Sequence, residues 1–323
     1  MAAIARIVCI GGATQDVFLQ GKIFKPQQDE DGMVEEFLLG SKNDVDSVTF
    51  STGGGATNAA VTFVRQGMQA SYLGKVGDDI AGRAIKEALR EEGVDLSLMS
   101  VSKKYGSGYA VLLLAPLGER TILAYRGASV HYELEPEDFH GKKADWFYIS
   151  SLDGNLAVLD TALSYAAENG IKVAFNPGKK ELKQAATLRH LLPRCTLLSL
   201  NKEELGMLFK GSSLAELVTH ASQSVQYVVG TDGPKGCIAT DGDKLYKAGM
   251  YKDVKVVDRT GAGDAFCSGF TAMVVRGESM ERALTFASAN STSVVQHIGA
   301  KTGILKGSPK LLKMPIRVVE LSQ

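Results

Sequence analysis

The sequence predicts an α/β protein in which a mainly parallel central sheet is covered by helices on both faces, with a small antiparallel sheet beside it. Strand-like and helix-like segments alternate along most of the 323 residues, which is typical of parallel sheets joined by crossover helices. One such pair is the apolar run 146–149 and the helical pattern 156–169, which ends before Gly170. Two β-rich stretches interrupt the alternation and predict the small sheet.

The elements of the main sheet follow from short apolar runs and from the helical spacing of apolar residues. The first run, 7–10, ends at Gly11-Gly12, as a buried strand does when it enters a turn. Further strands are predicted at 70–72, 173–175, 196–200, 227–229 and, at an edge, 316–321. Further helices are predicted at 80–92, 202–209, 261–276 and 280–297.

Two insertions, at about 17–50 and 107–127, are predicted to form the small sheet together. Their alternating or β-rich stretches are 34–39, 46–50, 109–114 and 121–125. Pro116–Glu119 lies between the last two and is a hairpin signal. Because two distant insertions build one sheet, we expect it to form a lid over a site on a single domain of residues 1–323.

Charge, cysteine content and the amino-terminal segment argue against several classes of protein. The chain has 36 Lys and Arg and 36 Asp and Glu, so its formal charge of zero gives no long-range attraction to nucleic acid or to a membrane surface. Its four cysteines are far apart, which favours reduced thiols in a cytoplasmic protein over disulfides or a zinc site. The first apolar run is short and contains Arg6, so we expect a strand there and neither a signal peptide nor a membrane span.

The strongest candidate for chemistry is the glycine-rich segment 258–266, DRTGAGDAF. Its glycines let the backbone turn sharply, and the helix that follows points free N–H groups and a partial positive charge at a ligand such as phosphate. Asp264 is in the first turn of that helix, which we expect to keep its carboxylate ionised at neutral pH. A carboxylate beside an anion site can deprotonate a hydroxyl while the phosphoryl group under attack is stabilised.

A structural role for Asp264 is the alternative, because an acidic residue in the first turn of a helix after glycine is common. The sequence also lacks two well-known phosphate motifs: no G-x-x-x-x-G-K-[ST] occurs, and no G-x-G-x-x-G opens a helix. A nucleotide site in this chain must therefore be of another kind.

A second glycine-rich segment, 53–55, opens a helix of small residues with Asn58 in its first turn. Close packing of this helix on a strand would by itself explain the glycines. The functional interpretation is that the bare backbone at Gly54 receives a polar small molecule whose hydroxyls bond to Asn58. Asp16, which follows the first strand, would meet the same pocket, although an Asp after Gly-Gly is more often a turn former.

Five motifs, taken in order, resemble those of the ribokinase-like (PfkB) carbohydrate kinases. Gly53-Gly54 with Asn58, followed by 74–82, resembles the first signature of that family, and 258–264 resembles the second, D-T-x-G-A-G-D. The other matching motifs are Asn176-Pro177, Asn201-x-x-Glu204 and Thr231-x-Gly233-x-x-Gly236. The resemblance extends from about residue 7 to residue 300 and implies the ribokinase-like fold.

The resemblance implies an ATP-dependent kinase that phosphorylates a hydroxyl, expected to be a primary alcohol, of a sugar. Asp264 would be the base that takes the hydroxyl proton. The anion hole would consist of the amides of Gly261, Ala262 and Gly263. Glu204 would hold Mg²⁺ through water, with Asn201 beside the phosphates. Such parts suffice because phosphoryl transfer depends mainly on positioning and charge neutralisation.

The remaining implied contacts divide by ligand. The residues bordering the nucleotide would be Asn201, Thr231, Gly233, Gly236 and Asn290. The backbone carbonyls holding a K⁺-like ion would be those of Asp258, Thr260 and Ala300. The residues binding acceptor hydroxyls would be Asp16, Gly54 and Asn58. The lid would close over the site to exclude water and would also form a homodimer contact.

Three basic residues near the implied site are open to two interpretations. Arg126 ends a lid strand and could reach an acidic or phosphorylated acceptor, but a solvated arginine is an equal alternative. Lys301 and Lys306 could lie near the ATP phosphates, and the default expectation is that both face solvent.

Departures from the family pattern concern the acceptor. Arg259 replaces a Thr of the second signature, and Thr14 and Gly55 replace an Asn and a Lys of ribokinase. Only Asp153, out of register, stands near the position of the sugar-binding Glu of ribokinase. These changes favour an acceptor other than ribose. A nucleoside kinase of the same fold, acting on adenosine, cytidine or guanosine, is the alternative.

Overall fold

The structure, a computed structural model, describes residues 4–30, 32–115, 119–139, 141–251 and 254–321. Within them the strands, numbered along the chain, are β1 Arg6–Ile10, β2 Thr14–Gln20, β3 Gln27–Asp29, β4 Gly32–Val34, β5 Ser47–Gly53, β6 Gln69–Gly77, β7 Met99–Ser102, β8 Gly108–Leu114, β9 Arg120–Tyr125, β10 Trp146–Ile149, β11 Lys172–Phe175, β12 Leu197–Asn201, β13 Tyr227–Thr231, β14 Cys237–Thr240, β15 Lys244–Ala248 and β16 Ile316–Glu320. The helices are α1 Gly55–Arg65, α2 Ile80–Glu91, α3 Leu156–Glu168, α4 Lys179–Leu182, α5 Ala185–Leu191, α6 Lys202–Leu208, α7 Leu214–Ser222, α8 Ala262–Val275 and α9 Met280–Val294.

The main sheet has the strand order β16-β15-β14-β13-β12-β11-β10-β1-β6-β7. From β13 to β7 all neighbouring strands are parallel, whereas β14, β15 and β16 pair in antiparallel fashion at one edge. The prediction of a mainly parallel sheet is confirmed, and β16 is the expected edge strand. The hairpin β14–β15 is an addition to the predicted elements.

Helices cover both faces of this sheet because alternate side chains of each strand point to opposite sides. In β1, Ile7 and Cys9 belong to one core, which includes side chains of α1, α2, α8 and α9. Val8 and Ile10 belong to a second core with side chains of α3, α5, α6 and α7. All four side chains are buried, so both faces of β1 are covered, as its continuous apolar run predicts.

The small sheet has the strand order β5-β2-β8-β9. Two of its pairings are antiparallel as predicted, but β2 and β8 are parallel, with Thr14 opposite Gly108. Both strands leave the carboxyl edge of the main sheet, β2 after β1 and β8 after β7, so they enter the small sheet in the same direction. The hairpin β8–β9 is present, while its predicted turn at 116–118 lies outside the described part of the chain.

The stretch 34–39 differs from its prediction. Only Gly32–Val34 is a strand, and it pairs with β3 in a separate two-stranded antiparallel sheet. Phe37, Leu38 and Leu39 are exposed and lie outside any strand. An alternating pattern forms a strand only where a neighbour supplies hydrogen bonds. No helix in the described ranges combines the length and apolar character needed to cross a membrane.

Candidate active site

A cavity of about 320 Å³ opens at the carboxyl edge of the main sheet. Five neighbouring parallel strands all contribute to its wall at or just beyond their ends, among other residues through Gly12, Ser150, Asn176, Asn201 and Thr231. Ligands of open parallel sheets bind at this edge because the loops that lead into the helices meet there. The cavity is therefore the candidate active site.

Asp264 lies on the wall of this cavity, in the first turn of α8. The helix begins after Gly261, whose φ of 78° is left-handed. A Cβ added to Gly261 would lie 2.3 Å from the Cβ of Ala300, so glycine is required at this turn. Oδ2 of Asp264 accepts a hydrogen bond of 2.8 Å from Nδ2 of Asn58. The two glycine-rich segments of the sequence thus meet at one carboxylate.

Burial raises the pKa of Asp264 above its ordinary value, and the hydrogen bond from Asn58 and the positive charge of Lys301 only partly offset this effect. The helix terminus favours the ionised form, as the sequence predicts. Desolvation acts in the opposite direction and sets the sign of the shift. A raised pKa makes the ionised carboxylate a stronger base.

The three predicted anion-hole residues have different surroundings. Gly263 lies on the cavity wall beside Asp264. The N–H of Ala262 donates to the carbonyl of Arg259 at 3.3 Å, within the turn itself. Amides in the first turn of a helix have no backbone acceptor inside the helix, so the start of α8 offers N–H groups to a ligand. The arrangement can bind an anion next to a base.

Gly54 also lies on the cavity wall, as the residue that precedes α1. Its φ is 99°, and an added Cβ would lie 2.3 Å from the carbonyl oxygen of Gly12. Asn58 is buried in α1 behind this wall. Its Nδ2 bonds to Asp264, and its Oδ1 has no hydrogen-bond partner among the described residues. The oxygen of the Asn58 amide is therefore a buried acceptor without a protein partner among the described residues.

Asp16 and Arg126 differ in their access to the cavity. Asp16 is buried against Gly53 and is not on the wall. Burial raises the pKa of Asp16 to about 6, while the hydroxyl of Thr14 and the charge of Lys301 act against this shift. Arg126 is on the wall with 57% of its side chain exposed, and its Nε lies 3.9 Å from a carboxylate oxygen of Asp153.

Asn201 and Glu204 both lie on the cavity wall and cap α6 together. Oδ1 of Asn201 accepts from the N–H of Glu204, and Oε2 of Glu204 accepts from the N–H of Asn201, each at 2.9 Å. This reciprocal pair has a structural role by itself. Glu204 is half-buried, and this partial burial raises the pKa of its carboxylate.

The donor set fits a Mg²⁺ ion that arrives with phosphates. Across the described residues, no group of three His, Cys, Asp or Glu side chains is placed to hold a metal. Mg²⁺ in nucleotide sites uses one or two carboxylates, keeps several waters and takes its other ligands from the phosphates. Glu204 on the wall supplies one such carboxylate.

The predicted nucleotide residues are not all at the cavity. Thr231 is on the wall, and Gly233 and Gly236 follow it around a short 3-10 turn. Asn290, in contrast, is fully buried inside the protein. Its Nδ2 donates to the carbonyl of Ala265 and its Oδ1 accepts from the N–H of Leu305, at 2.8 and 2.9 Å. The Asn290 amide ties α8 to the segment after α9.

Asp258 is buried and its carboxylate is used within the loop. Oδ1 accepts from the N–H and hydroxyl of Thr260 at 2.9 and 2.7 Å, and Oδ2 accepts from the N–H of Gly299 at 3.0 Å. These bonds join the turn before α8 to the segment that contains Ala300. A monovalent cation bound here would therefore use backbone carbonyls rather than the Asp258 carboxylate.

Two further polar residues belong to the site. Ser150 is buried on the cavity wall, and its Oγ has no hydrogen-bond partner among the described residues. A Cβ added to Gly55 would lie 3.2 Å from this Oγ and 3.3 Å from Oδ1 of Asp264, so Ser150 and Asp264 lie side by side. Lys301, expected to face solvent, is buried instead. The only sequence signal for a site at Ser150 was its position after the predicted strand 146–149, and no local pattern predicted that Lys301 would be buried.

Most of the chain matches a known family of proteins. The family described as pfkB family carbohydrate kinase matches residues 24–306. The ribokinase of Bacillus subtilis is 30% identical over 256 residues, which cover 78% of this chain and 84% of that protein.

Solved structures show the same fold. A nucleoside kinase of Methanocaldococcus jannaschii superposes with a TM-score of 0.77 at 22% identity, covering 94% of this chain and 95% of that one. The ribokinase of Arabidopsis thaliana, complexed with ribose and ATP, gives a TM-score of 0.74 at 22% identity and covers 94% and 96% of the two chains. The chain belongs to the pfkB family of carbohydrate kinases and is a kinase of the ribokinase fold.

Proposed function

We propose that the protein transfers the terminal phosphoryl group of ATP to a hydroxyl, a primary alcohol, of a sugar, with Asp264 as the base. The observation that carries this proposal is the position of the Asp264 carboxylate, on the cavity wall beside Gly263 at the start of α8. A base and an anion site must be adjacent for this reaction, because the attacking oxygen loses its proton as the phosphoryl group gains charge.

The acceptor hydroxyl would give its proton to a carboxylate oxygen of Asp264, while its oxygen forms a bond to the γ-phosphorus and ADP leaves. The N–H groups of the turn 261–263 would donate hydrogen bonds to the equatorial phosphoryl oxygens, and Gly263 lies on the cavity wall. Mg²⁺ bound with the nucleotide would neutralise phosphate charge, and Glu204 would hold it through water. The nucleotide would be bordered by Asn201, Thr231, Gly233 and Gly236. Asn290 is not part of this proposed site, because both ends of its amide are already paired.

The acceptor would lie against Gly54 and Arg126 on the wall. Ser150 Oγ and the buried Oδ1 of Asn58 lack a partner among the described residues, and we propose them for the acceptor hydroxyls. Asp16 lies one layer behind and would act on these hydroxyls through its charge and its neighbour Thr14. A monovalent cation, K⁺, would be held by the carbonyls of Asp258, Thr260 and Ala300.

The small sheet is proposed as a lid on a single domain of residues 1–323 and as the contact of a cytoplasmic homodimer. One face of its strands β5 and β9 exposes Val48, Phe50, Leu123 and Tyr125. An apolar face of this kind on a lid is suited to a second copy of the same surface. A monomeric mass by light scattering at micromolar concentration would contradict the dimer.

A nucleoside kinase is the alternative, supported by the likeness to the M. jannaschii nucleoside kinase. The described residues of the cavity wall include no aromatic side chain on which a base would stack, and this favours a sugar.

A screen coupled to ADP release tests the proposal, with sugars in one set and adenosine, cytidine and guanosine in the other. We expect turnover with a sugar, loss of turnover with EDTA and a lower rate when tetramethylammonium replaces K⁺. Turnover with nucleosides alone would establish the alternative. No ADP release with any acceptor would overturn both, and an unchanged rate in tetramethylammonium would remove the cation site alone.

A further inference from the structure

The segment after α9 packs directly beneath the catalytic turn. The N–H of Gly299 donates to Oδ2 of Asp258 at 3.0 Å. Ala300 fills the space next to Gly261, where an added Cβ would meet the Cβ of Ala300 at 2.3 Å. The backbone that leads to Lys301 is therefore fixed against the turn that begins α8.

The side chain of Lys301 extends from this segment to the first glycine turn. It is 8% exposed, and its Nζ donates to the carbonyl of Thr52 at 2.8 Å and to Oγ1 of Thr57 at 2.9 Å. Oγ1 of Thr57 in turn donates to the carbonyl of Gly53 at 2.7 Å. One lysine thus joins the two glycine turns whose helices carry Asn58 and Asp264.

The charged groups around Lys301 come from several elements. Asp16 on β2, Asp264 on α8 and Glu92 after α2 attract its ammonium, and Arg65 at the end of α1 repels it. Among the described residues, no carboxylate oxygen lies within the 4.0 Å of a direct ion pair with its Nζ. The ammonium is therefore a buried charge that acts on three carboxylates without forming an ion pair with any of them.

The surroundings retain this charge in spite of its burial. Desolvation lowers the pKa of Lys301 to about 8, and the attraction of Asp16 and Asp264 opposes the change. The backbone carbonyl of Lys301 is fixed as well, since it accepts a 2.8 Å hydrogen bond from Nη1 of Arg65, which is itself paired with Glu92. A buried unpaired charge is costly, and its presence beside the base calls for a role in the reaction.

We propose that Lys301 is a positioning residue of the kinase: its ammonium holds the turn 53–55 against the turn 261–263 and supplies a fixed positive charge between Asp16 and Asp264. This inference rests on the proposed function. Lys301 touches neither acceptor nor nucleotide in this assignment. It sets the distance between the acceptor, bound at Gly54, and the base at the start of α8.

The test compares Lys301→Met, which keeps the length of the side chain without its charge, with Lys310→Met, which removes an exposed lysine further along the same segment. For Lys301→Met we expect kcat to fall about 10- to 100-fold and KM for the acceptor to rise, because small misplacement of reacting groups has effects of this size. KM for ATP should stay within about twofold, since the nucleotide residues lie at β12 and β13. Lys310→Met should match the wild type.

A second variant separates charge from packing. Lys301→Ala leaves a space that ethylammonium or propylammonium can enter, so these cations should restore part of kcat, whereas neutral propanol should not. A folded Lys301→Met with wild-type kcat and KM would overturn the assignment, and so would equal rescue by propanol and by the amines. The wild-type rate is measured first: an inactive wild type overturns the proposed function, while an active wild type with unaffected variants overturns only the role of Lys301.

Discussion

Two turns built from glycine each begin a helix at the cavity, and they differ in what lies next to the glycine. The turn before α1 contains Gly54, and the turn before α8 contains Gly261. Their helices pack together through the bond from Asn58 to Asp264 and through a 2.8 Å bond from the hydroxyl of Ser268 to that of Thr62. Two glycine-rich turns, each followed by a helix, thus form two walls of one site.

The difference lies in how each turn is constrained. Gly54 is pressed against backbone, with the carbonyl of Gly12 where a Cβ would stand, and the first turn of α1 contains no acidic residue. Two residues after Gly261, Gly263 has no atom within 4 Å of an added Cβ, and Asp264 follows it. The first turn brings bare backbone to the cavity wall at Gly54, while the second places Gly263 and the Asp264 carboxylate on that wall. Four substitutions test this contrast.

The largest expected effect is on the second turn. Asp264→Asn should lower kcat by about 10²- to 10⁴-fold, because the amide cannot take the hydroxyl proton. The affinity for ATP should change little, and the helix should remain folded. Steady-state kinetics with ATP and acceptor varied separately would measure both quantities, with the exposed Asp243→Asn as control. Near-normal turnover in Asp264→Asn would rule out this residue as the base.

Alanine at the two turns should have opposite effects on stability. Gly54→Ala forces a side chain into left-handed backbone and against Gly12, so we expect a loss of about 3 kcal/mol in the free energy of unfolding. Gly263→Ala has open space and should gain up to about 1 kcal/mol from helix propensity. Its methyl group would narrow the anion site, so kcat/KM should still fall about 10-fold. Denaturant unfolding measures the free energy of unfolding of both variants, and rate assays on the same samples measure kcat/KM. Equal stability of Gly54→Ala and Gly263→Ala would contradict the expected difference.

The smallest effect is expected where the two helices meet. Asn58→Ala removes the hydrogen bond that lowers the pKa of Asp264, so this pKa should rise further above its ordinary value. The base works only when ionised, and activity is lost as the pH falls through its pKa. The acid limb of the kcat/KM profile should therefore move to higher pH in the variant. At pH 8 the loss should be only about fivefold, the size of one hydrogen bond. The exposed Asn169→Ala is the control and should leave the profile unchanged. An acid limb that does not move in Asn58→Ala would show that Asn58 does not affect the pKa of Asp264.

Much of the fold could be predicted because the signals are local. The strand at 146–149 has the predicted bounds, and the helix predicted at 156–169 ends one residue earlier, since apolar runs and a glycine after the last turn report on neighbouring residues. The hairpin β14–β15 was not predicted, because its two strands are short and contain few β-branched side chains. The parallel pairing of β2 and β8 depends on where two distant strands leave the main sheet, which no local pattern reports.

The site shows the same division. Asp264, Gly54, Asn201 and Thr231 follow predicted strands or glycine turns, and all four lie on the cavity wall. Asn290 was expected at the nucleotide, but its amide is paired inside the protein, because α9 packs on α8 so that this residue faces Ala265.

The sequence by itself determined the alternation of strands and helices and the two glycine turns, because backbone preference and hydrophobic period act over a few residues. Tertiary structure alone decided that Lys301 would be buried, because the residues around it have no strand or helix pattern that would indicate burial. It also decided that Asn58 and Asp264, 206 residues apart, would share a hydrogen bond. Those contacts depend on the packing of α1 against α8. They affect the charge of the Asp264 carboxylate only because water is excluded from between the two helices.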